Sequence, residues 1–335
     1  MPRIPFFIMA AAVAAVSCAR LQEGGPELPG IPVSWQVVQT RAASPYPEDE
    51  TFISHAWYRL PEGGEWDGGG SEAKIYIDGA EILHHSDGWH AGSPFFWPPE
   101  GTLSFFSYAP SDMPLAEDNE GSGVRVTQDG VHLDNWNVLD DSGRPRNVDF
   151  LVADPVMDIT AADAAGGVPT LFRHTMARIR VNILDDMSED SEIEIRSITL
   201  NDIYCTGSYA SGLWGSTSTH SNLRNVSLTL PASTIGSGLR TDYVIMLPQN
   251  LLAVSDNANG ENRSAPSLTI EYNKPDAPKV QETTVEFADW PGSSYWTAGH
   301  DITYTITFGK GDIPIDFDAG VDPWTGSGGI TVSGQ

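Results

Sequence analysis

His84, His85, Asp87 and His90 lie close together in the sequence and carry the side chains a metal would use; imidazole is a good ligand for zinc. Gly88 interrupts them, no completing ligand is obvious, and nothing fixes a geometry. A solvated aromatic loop is expected there. Acidic loops around Asp112–Asn119 and Asp134–Asp141 offer carboxylates for calcium, yet neither follows the D-x-[DN]-x-[DN]-G pattern of a calcium loop. No metal and no cofactor is expected. The sequence lacks the G-x-S-x-G elbow of an α/β-hydrolase, a Walker A loop, and a G-x-G-x-x-G after a strand. Carboxylate pairs for glycoside hydrolysis could be drawn anywhere among 45 acidic residues, so no pair is singled out. Ten Trp and ten Tyr could stack on sugars, but such residues more often fill sandwich cores. On the residues alone no catalytic motif stands out, and an enzyme such as a glycosidase accessory stays open.

The two cysteines offer different chemistry. Cys205 shows no sequence sign of the low-pKa setting that a reactive thiol needs and reads as a small buried hydrophobe. With so few cysteines no disulfide framework can form. Cys18 closes a stretch that starts with Arg3, runs through the apolar Ile4 to Val16 and ends on Ser17. A basic start, an apolar run and small residues at a cut site make a secretory signal; the run falls short of the roughly 20 residues that span a bilayer. Ala15-Val16-Ser17-Cys18 resembles the lipobox of bacterial lipoproteins, with Ala15 where leucine is more typical. On that resemblance residues 1–17 are a lipoprotein signal and Cys18 is the lipidated first residue of the mature chain. Each acyl CH₂ then adds about 0.8 kcal/mol to membrane attachment. An ordinary signal with an incidental cysteine is the alternative. Residues 18–30 form a Gly/Pro/Glu tether.

The elements that would position any site are strands. In Ile31 to Gln39, Val33, Trp35 and Val37 alternate with Ser34, Gln36 and Val38, a strand with one buried face. Arg41 and Ala42 follow, leading into the Pro-rich loop SPYPEDE, an exposed place for an arginine. Further strands are expected at Thr51–Leu60, Ala73–Ile77, Thr102–Tyr108, Gly123–Thr127, Val131–Asn137 and Val148–Ala153, with hairpin turns at Asp78-Gly79 and Asp129-Gly130. Asp158 to Ala165 is the best helix candidate and is short, and Asp154 to Pro169 reads as a linker. Later, Ile302, Tyr304, Ile306 and Phe308 alternate with Thr303, Thr305 and Thr307, the cleanest alternation in the chain. Many short strands between turns predict a mostly β protein built of β-sandwiches, divided into 31–167 and 168–335. A net charge of −27 repels phosphate backbones, so nucleic acid is not an expected partner.

Several segments together resemble the fimbrillin family of Bacteroidetes, the FimA/Mfa-like subunits of type V pili. They are the lipobox, Gln39-Thr40-Arg41-Ala42 after an early strand, FFWPPEGTLSFFSYAP (Phe95 to Pro110), VDFLVA (Val148 to Ala153), FRHTMARIRVNI (Phe172 to Ile183), YVIMLPQ (Tyr243 to Gln249), YWTAGHDITYTITF (Tyr295 to Phe308) and the ending Ile313 to Val332. The resemblance implies two transthyretin-like β-sandwich domains in tandem, export to the outer membrane as a lipoprotein anchored through its lipid, and no catalysis. It also implies assembly into a cell-surface fimbria that serves adhesion. An Arg-specific surface protease would cut between Arg41 and Ala42 and release the first strand with Val33, Trp35 and Val37. A C-terminal strand of the next pilus subunit would replace it, with Ile313, Ile315 and Phe317, or Ile330 and Val332, as anchors. The other expectation carried forward is a non-polymerising surface lipoprotein or tip adhesin that binds a glycan, or another host or bacterial surface ligand.

Overall fold

Strands dominate because turn-forming clusters recur before any stretch reaches helical length. The structure is a computed structural model and describes residues 30–38, 46–60, 73–116, 121–185, 193–216, 223–231, 239–252, 255–256, 261–262, 264–274, 279–290, 294–308 and 315–323, the last as backbone alone. Among these residues there is no α-helix, and a 3₁₀ turn spans Phe287–Asp289.

The first part of the chain supplies β1 (Trp35–Val37), β2 (Phe52–Arg59), β3 (Lys74–His85), β4 (Gly88–Ala91), β5 (Thr102–Ala109), β6 (Gly123–Thr127), β7 (Gly130–Asn137), β8 (Leu151–Ala153), β9 (Val156–Ile159), β10 (Val168–Thr170) and β11 (Phe172–His174). One 9-stranded sheet runs β10-β1-β4-β3-β2-β5-β8-β11, with β9 also on β5. β5 is buried on both faces, which is why its sequence, TLSFFSYA, sets large apolar residues side by side instead of alternating them with exposed polar ones. Phe105 enters one core with Phe52, Ile77 and Ile82, while Phe106 and Tyr108 enter a larger core on the other face.

The chain continues through β12 (Ala177–Asp185), β13 (Glu194–Tyr204), β14 (Thr206–Ala210), β15 (Leu213–Ser216), β16 (Leu223–Ser227), β17 (Leu239–Arg240), β18 (Val244–Met246), β19 (Gln249–Asn250), β20 (Ser255–Asp256), β21 (Glu261–Asn262), β22 (Ser267–Asn273), β23 (Gln281–Glu286), β24 (Tyr295–Trp296), β25 (His300–Phe308) and β26 (Ile315–Pro323). The sheet β17-β12-β25-β26 and the sheet β16-β13-β22-β23 share one core, into which Ile179, Val181, Ile302, Tyr304, Ile198 and Ile270 project. Ile302, Tyr304, Ile306 and Phe308 are all buried, as their alternation predicts. β12 and β25 are parallel neighbours, Ile179 opposite Ile302 and Val181 opposite Tyr304. Parallel strands need a long crossover, and the chain between them builds the opposing sheet. Mostly β, in facing sheets, is the fold class the turn spacing predicts.

Three local expectations are corrected. Asp78-Gly79 does not turn the chain. β3 runs through it, because Ile82 and Glu81 go on pairing with Phe52 and Ile53 of β2, and the register shifts between Ser54 and Ala56. Gly79, at φ +70°, makes a bulge, the other use of an Asp-Gly pair. The reversal comes at Ser86-Asp87, while Asp129-Gly130 forms the expected hairpin. The helix candidate closes instead as a tight turn, with Asp163 accepting from the Thr160 amide and hydroxyl. Nor does the chain change sheets at 167/168. β10 pairs in parallel with β1 and β11 pairs with β8, so both complete the first sheet. Further on, β14 pairs with β7, so a hairpin from the second half extends the β6–β7 hairpin of the first. The large core takes residues from both halves.

The bulge has a consequence for acid stability. It brings Asp78 within 3.6 Å of Nδ1 of His55, whose side chain is largely buried, between Trp57 and Tyr108. Neither ring nitrogen has a hydrogen-bond partner. Burial lowers the His55 pKa against the weaker opposing pull of Asp78. The unfolded chain protonates near the ordinary value of about 6.5, while the folded chain resists to lower pH. The stability is thus intact above that value and declines as pH falls from it toward the depressed folded value. The His55 share of the slope is at most about 1.4 kcal/mol per pH unit. His132, lowered by burial and by Arg125, adds a slope of the same sign. Denaturant titrations of wild type and His55→Phe from about pH 7.5 to 5 isolate the His55 share as a flatter slope in the variant.

Candidate assembly site around the first strand

The N-terminal segment enters as a bridge between Pro32 and Phe96. The Val33 amide donates to Phe95 O at 2.8 Å and the Trp97 amide to Ile31 O at 2.9 Å. β1 then lies between β4, antiparallel with Trp35 opposite Trp89, and β10, parallel with Trp35 opposite Val168. The Val168 amide donates to Ser34 O and the Val38 amide to Thr170 O, so the strand is hydrogen-bonded on both edges. Gly167 makes the approach of β10 close enough. At φ +103° it takes a conformation that suits glycine, and a Cβ there would lie 2.9 Å from the Trp35 carbonyl carbon.

The inner face is apolar. Val33 and Trp35 are each 3% exposed, and Val37 packs half-buried against the same core. The Trp35 ring meets Phe105 edge-on at 6.4 Å. Its indole Nε1 donates to Ser54 Oγ at 3.1 Å, and Ser107 donates to the same oxygen at 2.9 Å. Burying a side chain of this size is worth about 1.5–3 kcal/mol. Removing the strand would uncover Phe105, which the Trp35 ring contacts, and leave β4 and β10 unpaired at Trp89 and Val168. What this geometry can do is hold an extended segment by backbone pairing and apolar side chains on one face, which is the physics of strand addition.

Tyr46 was not legible as part of this site, since it sits in what reads as a loop. It is buried, stacks on Phe172 at 4.9 Å and meets Phe52 and Trp89, and its hydroxyl donates to Thr51 O at 2.9 Å. Burial, with Glu50 and Asp149 nearby, pushes its pKa far up, so the phenol stays protonated. Tyr46 thus fixes the chain where it re-enters the core after β1. Arg41 and Ala42, between them, lie outside the described residues, as do Cys18, Ile313, Ile330 and Val332. Ile315 and Phe317 stand in β26, opposite Phe308 and Ile306 of β25.

The histidine group sits on the β3–β4 hairpin. His84 Nδ1 is 3.7 Å from Glu48 and His90 Nε2 is 3.5 Å from Asp87, and no group of three metal-ligating side chains occurs among the described residues. Burial pushes the Cys205 thiol up to about 12, which makes it inert. Among the described residues no helix is long and apolar enough to cross a membrane.

Among the described residues the chain is built of strands around an apolar strand seat, an architecture suited to a structural or binding role. A family model described as fimbrillin-like matches residues 65–324, well over half of the chain, and the chain belongs to that family of fimbrial and adhesin-type surface subunits. No curated protein matches it. Among solved structures it is similar to a fimbrial protein from Bacteroides vulgatus, at 15% identity and TM-score 0.56 over 88% of this chain and 99% of that one. It is also similar to a Bacteroides uniformis protein described as a candidate for cell adhesion, at 17% identity and TM-score 0.53 over 88% and 99%. These two likenesses show a shared fold.

Proposed function

We propose that this chain is a structural subunit of a cell-surface fimbria that serves adhesion. In this reading it is anchored at the outer membrane through lipid on Cys18 and assembled by exchange of its first strand. The observation that carries the reading is the seating of Val33 and Trp35 in the first sheet, directly before the stretch that holds Arg41. Cleavage between Arg41 and Ala42 by an Arg-specific protease would free β1, while Tyr46 keeps the new N-terminus docked. A donor strand from another subunit would restore both hydrogen-bonded edges and the apolar row at once. Such head-to-tail contacts do not close, so they generate a filament. Because β26 is already paired with β25, Ile330 and Val332 are the better donor anchors; Ile313, Ile315 and Phe317 would require β26 to peel away first.

The test is limited digestion of the intact protein with an Arg-specific protease, followed by N-terminal sequencing and gel filtration. The expected result is a chain beginning at Ala42, loss of the released strand, and growth of polymers that deletion of residues 324–335 prevents. Failure of Ala42 to appear, or a trimmed chain that stays monomeric, overturns the reading. The second reading, a surface lipoprotein or tip adhesin that keeps its first strand, is favoured by the hydrogen bonding of β1 on both edges, and the same digestion would support it by leaving the strand in place.

A further inference from the structure

A cleft of about 460 Å³, lined by residues of both halves and by none of β1, opens beside the ends of β8 and β11. The ends of β8 and β11 form one wall and the turns of the β6–β7 and β14–β15 hairpins form the others. Its size is in the range of small-molecule sites. Phe106, Val152 and Tyr209 give it an apolar floor.

On the wall Arg173 and Asp154 face each other as a fork, Nε donating to Oδ1 at 3.1 Å and Nη2 to Oδ2 at 2.8 Å. Both side chains are about half exposed, and an ion pair in that setting adds little to stability, about 0–1 kcal/mol. The pair does something else well. It uses one edge of the guanidinium and one lone pair on each carboxylate oxygen. That leaves Nη1 as a donor and the outer lone pairs as acceptors, fixed in one plane. Burial, with Asp154 adding to it, raises the Tyr209 pKa and keeps that phenol a donor.

Charge narrows the ligand. Asp129 joins Asp154 in the lining, and the whole chain stands at −27, so an anion is repelled. A cation would have to compete with Arg173 for Asp154. A neutral polyol fits both parts of the cleft, because each hydroxyl can donate to a carboxylate while accepting from a guanidinium, and its C–H face can lie on the apolar floor. We propose that this cleft binds a neutral mono- or disaccharide, with Asp154 and Arg173 taking adjacent hydroxyls. The inference is independent of strand exchange, since the uncut monomer already presents the cleft.

Saturation-transfer NMR on the full-length, uncut protein tests it. The probes are methyl glycosides of glucose, galactose, mannose and N-acetylglucosamine, together with lactose. At least one should bind, and Asp154→Asn and Arg173→Gln should each weaken that binding by at least about tenfold. Thermal melts should be little changed, because the pair is exposed. Arg125→Gln, on the β6–β7 hairpin outside the cleft lining, should bind as wild type does. No binding at about 10 mM sugar, binding unmoved by both cleft variants, or preference for a sialylated over the matching neutral glycan would each overturn the proposal.

Discussion

Trp35→Ala should cost about 3–5 kcal/mol of folding stability, the usual loss for a large aromatic in a packed core. The side chain is 3% exposed, it contacts Phe105 edge-on, and its N–H satisfies Ser54 inside the sheet. The cavity would open between β1, β2 and β5, which are tied into a sheet and have little freedom to collapse. Trp35→Phe keeps part of the ring contact and should lose less, although Ser54 then keeps only the bond from Ser107. Urea denaturation followed by near-UV circular dichroism measures both. A loss under about 1 kcal/mol for the alanine variant would mean that β1 is not an integral member of the core, and strand exchange would lose its energetic basis.

Gly167→Ala should loosen the same strand from the other side. The added methyl would sit 2.9 Å from the carbonyl carbon of Trp35 and 3.0 Å from the Gln36 nitrogen, at φ +103°. Those neighbours are backbone and cannot rotate away. Left-handed backbone costs an L-residue about 1–2 kcal/mol and overpacking a further 1–3, so a total of about 2–5 kcal/mol is expected. The neighbouring Gly166→Ala is the internal control. Its Cβ would meet only the Gln36 amide oxygen at 3.5 Å, an ordinary contact, and it should be close to neutral. Hydrogen exchange at the Val38 and Val168 amides, which bond across the β1–β10 pair, should quicken in Gly167→Ala and not in Gly166→Ala.

Much of the seat of the first strand is legible in the sequence. The alternation of Val33 and Trp35 with polar neighbours correctly marked the buried face of β1, and the run TLSFFSY marked the strand whose two faces feed two cores. The partner of β1 could not be read. Val168-Pro169-Thr170 is too short to show a period, and parallel pairing joins segments far apart in sequence. Asp78-Gly79 misled for a related reason. The dipeptide permits a positive φ but does not say whether the chain reverses, and that was decided by Phe52 and Ile53 on another strand. Tyr46 was hidden among prolines and acids, since only tertiary packing makes it an anchor. The cleft was hidden as well, because Asp154 follows β8 while Arg173 lies in β11, and they meet only when β11 pairs with β8.

The β14–β15 hairpin, donated by the second half to the strands of the first, bears on how the molecule would carry a pull applied at its two ends. Two beads joined by one peptide would swing apart at the connector and load a single point. Here the force must pass through interlocked strands, and separating the halves means shearing several hydrogen bonds and a shared apolar interior together. The body should therefore transmit tension as one stiff link and fail late.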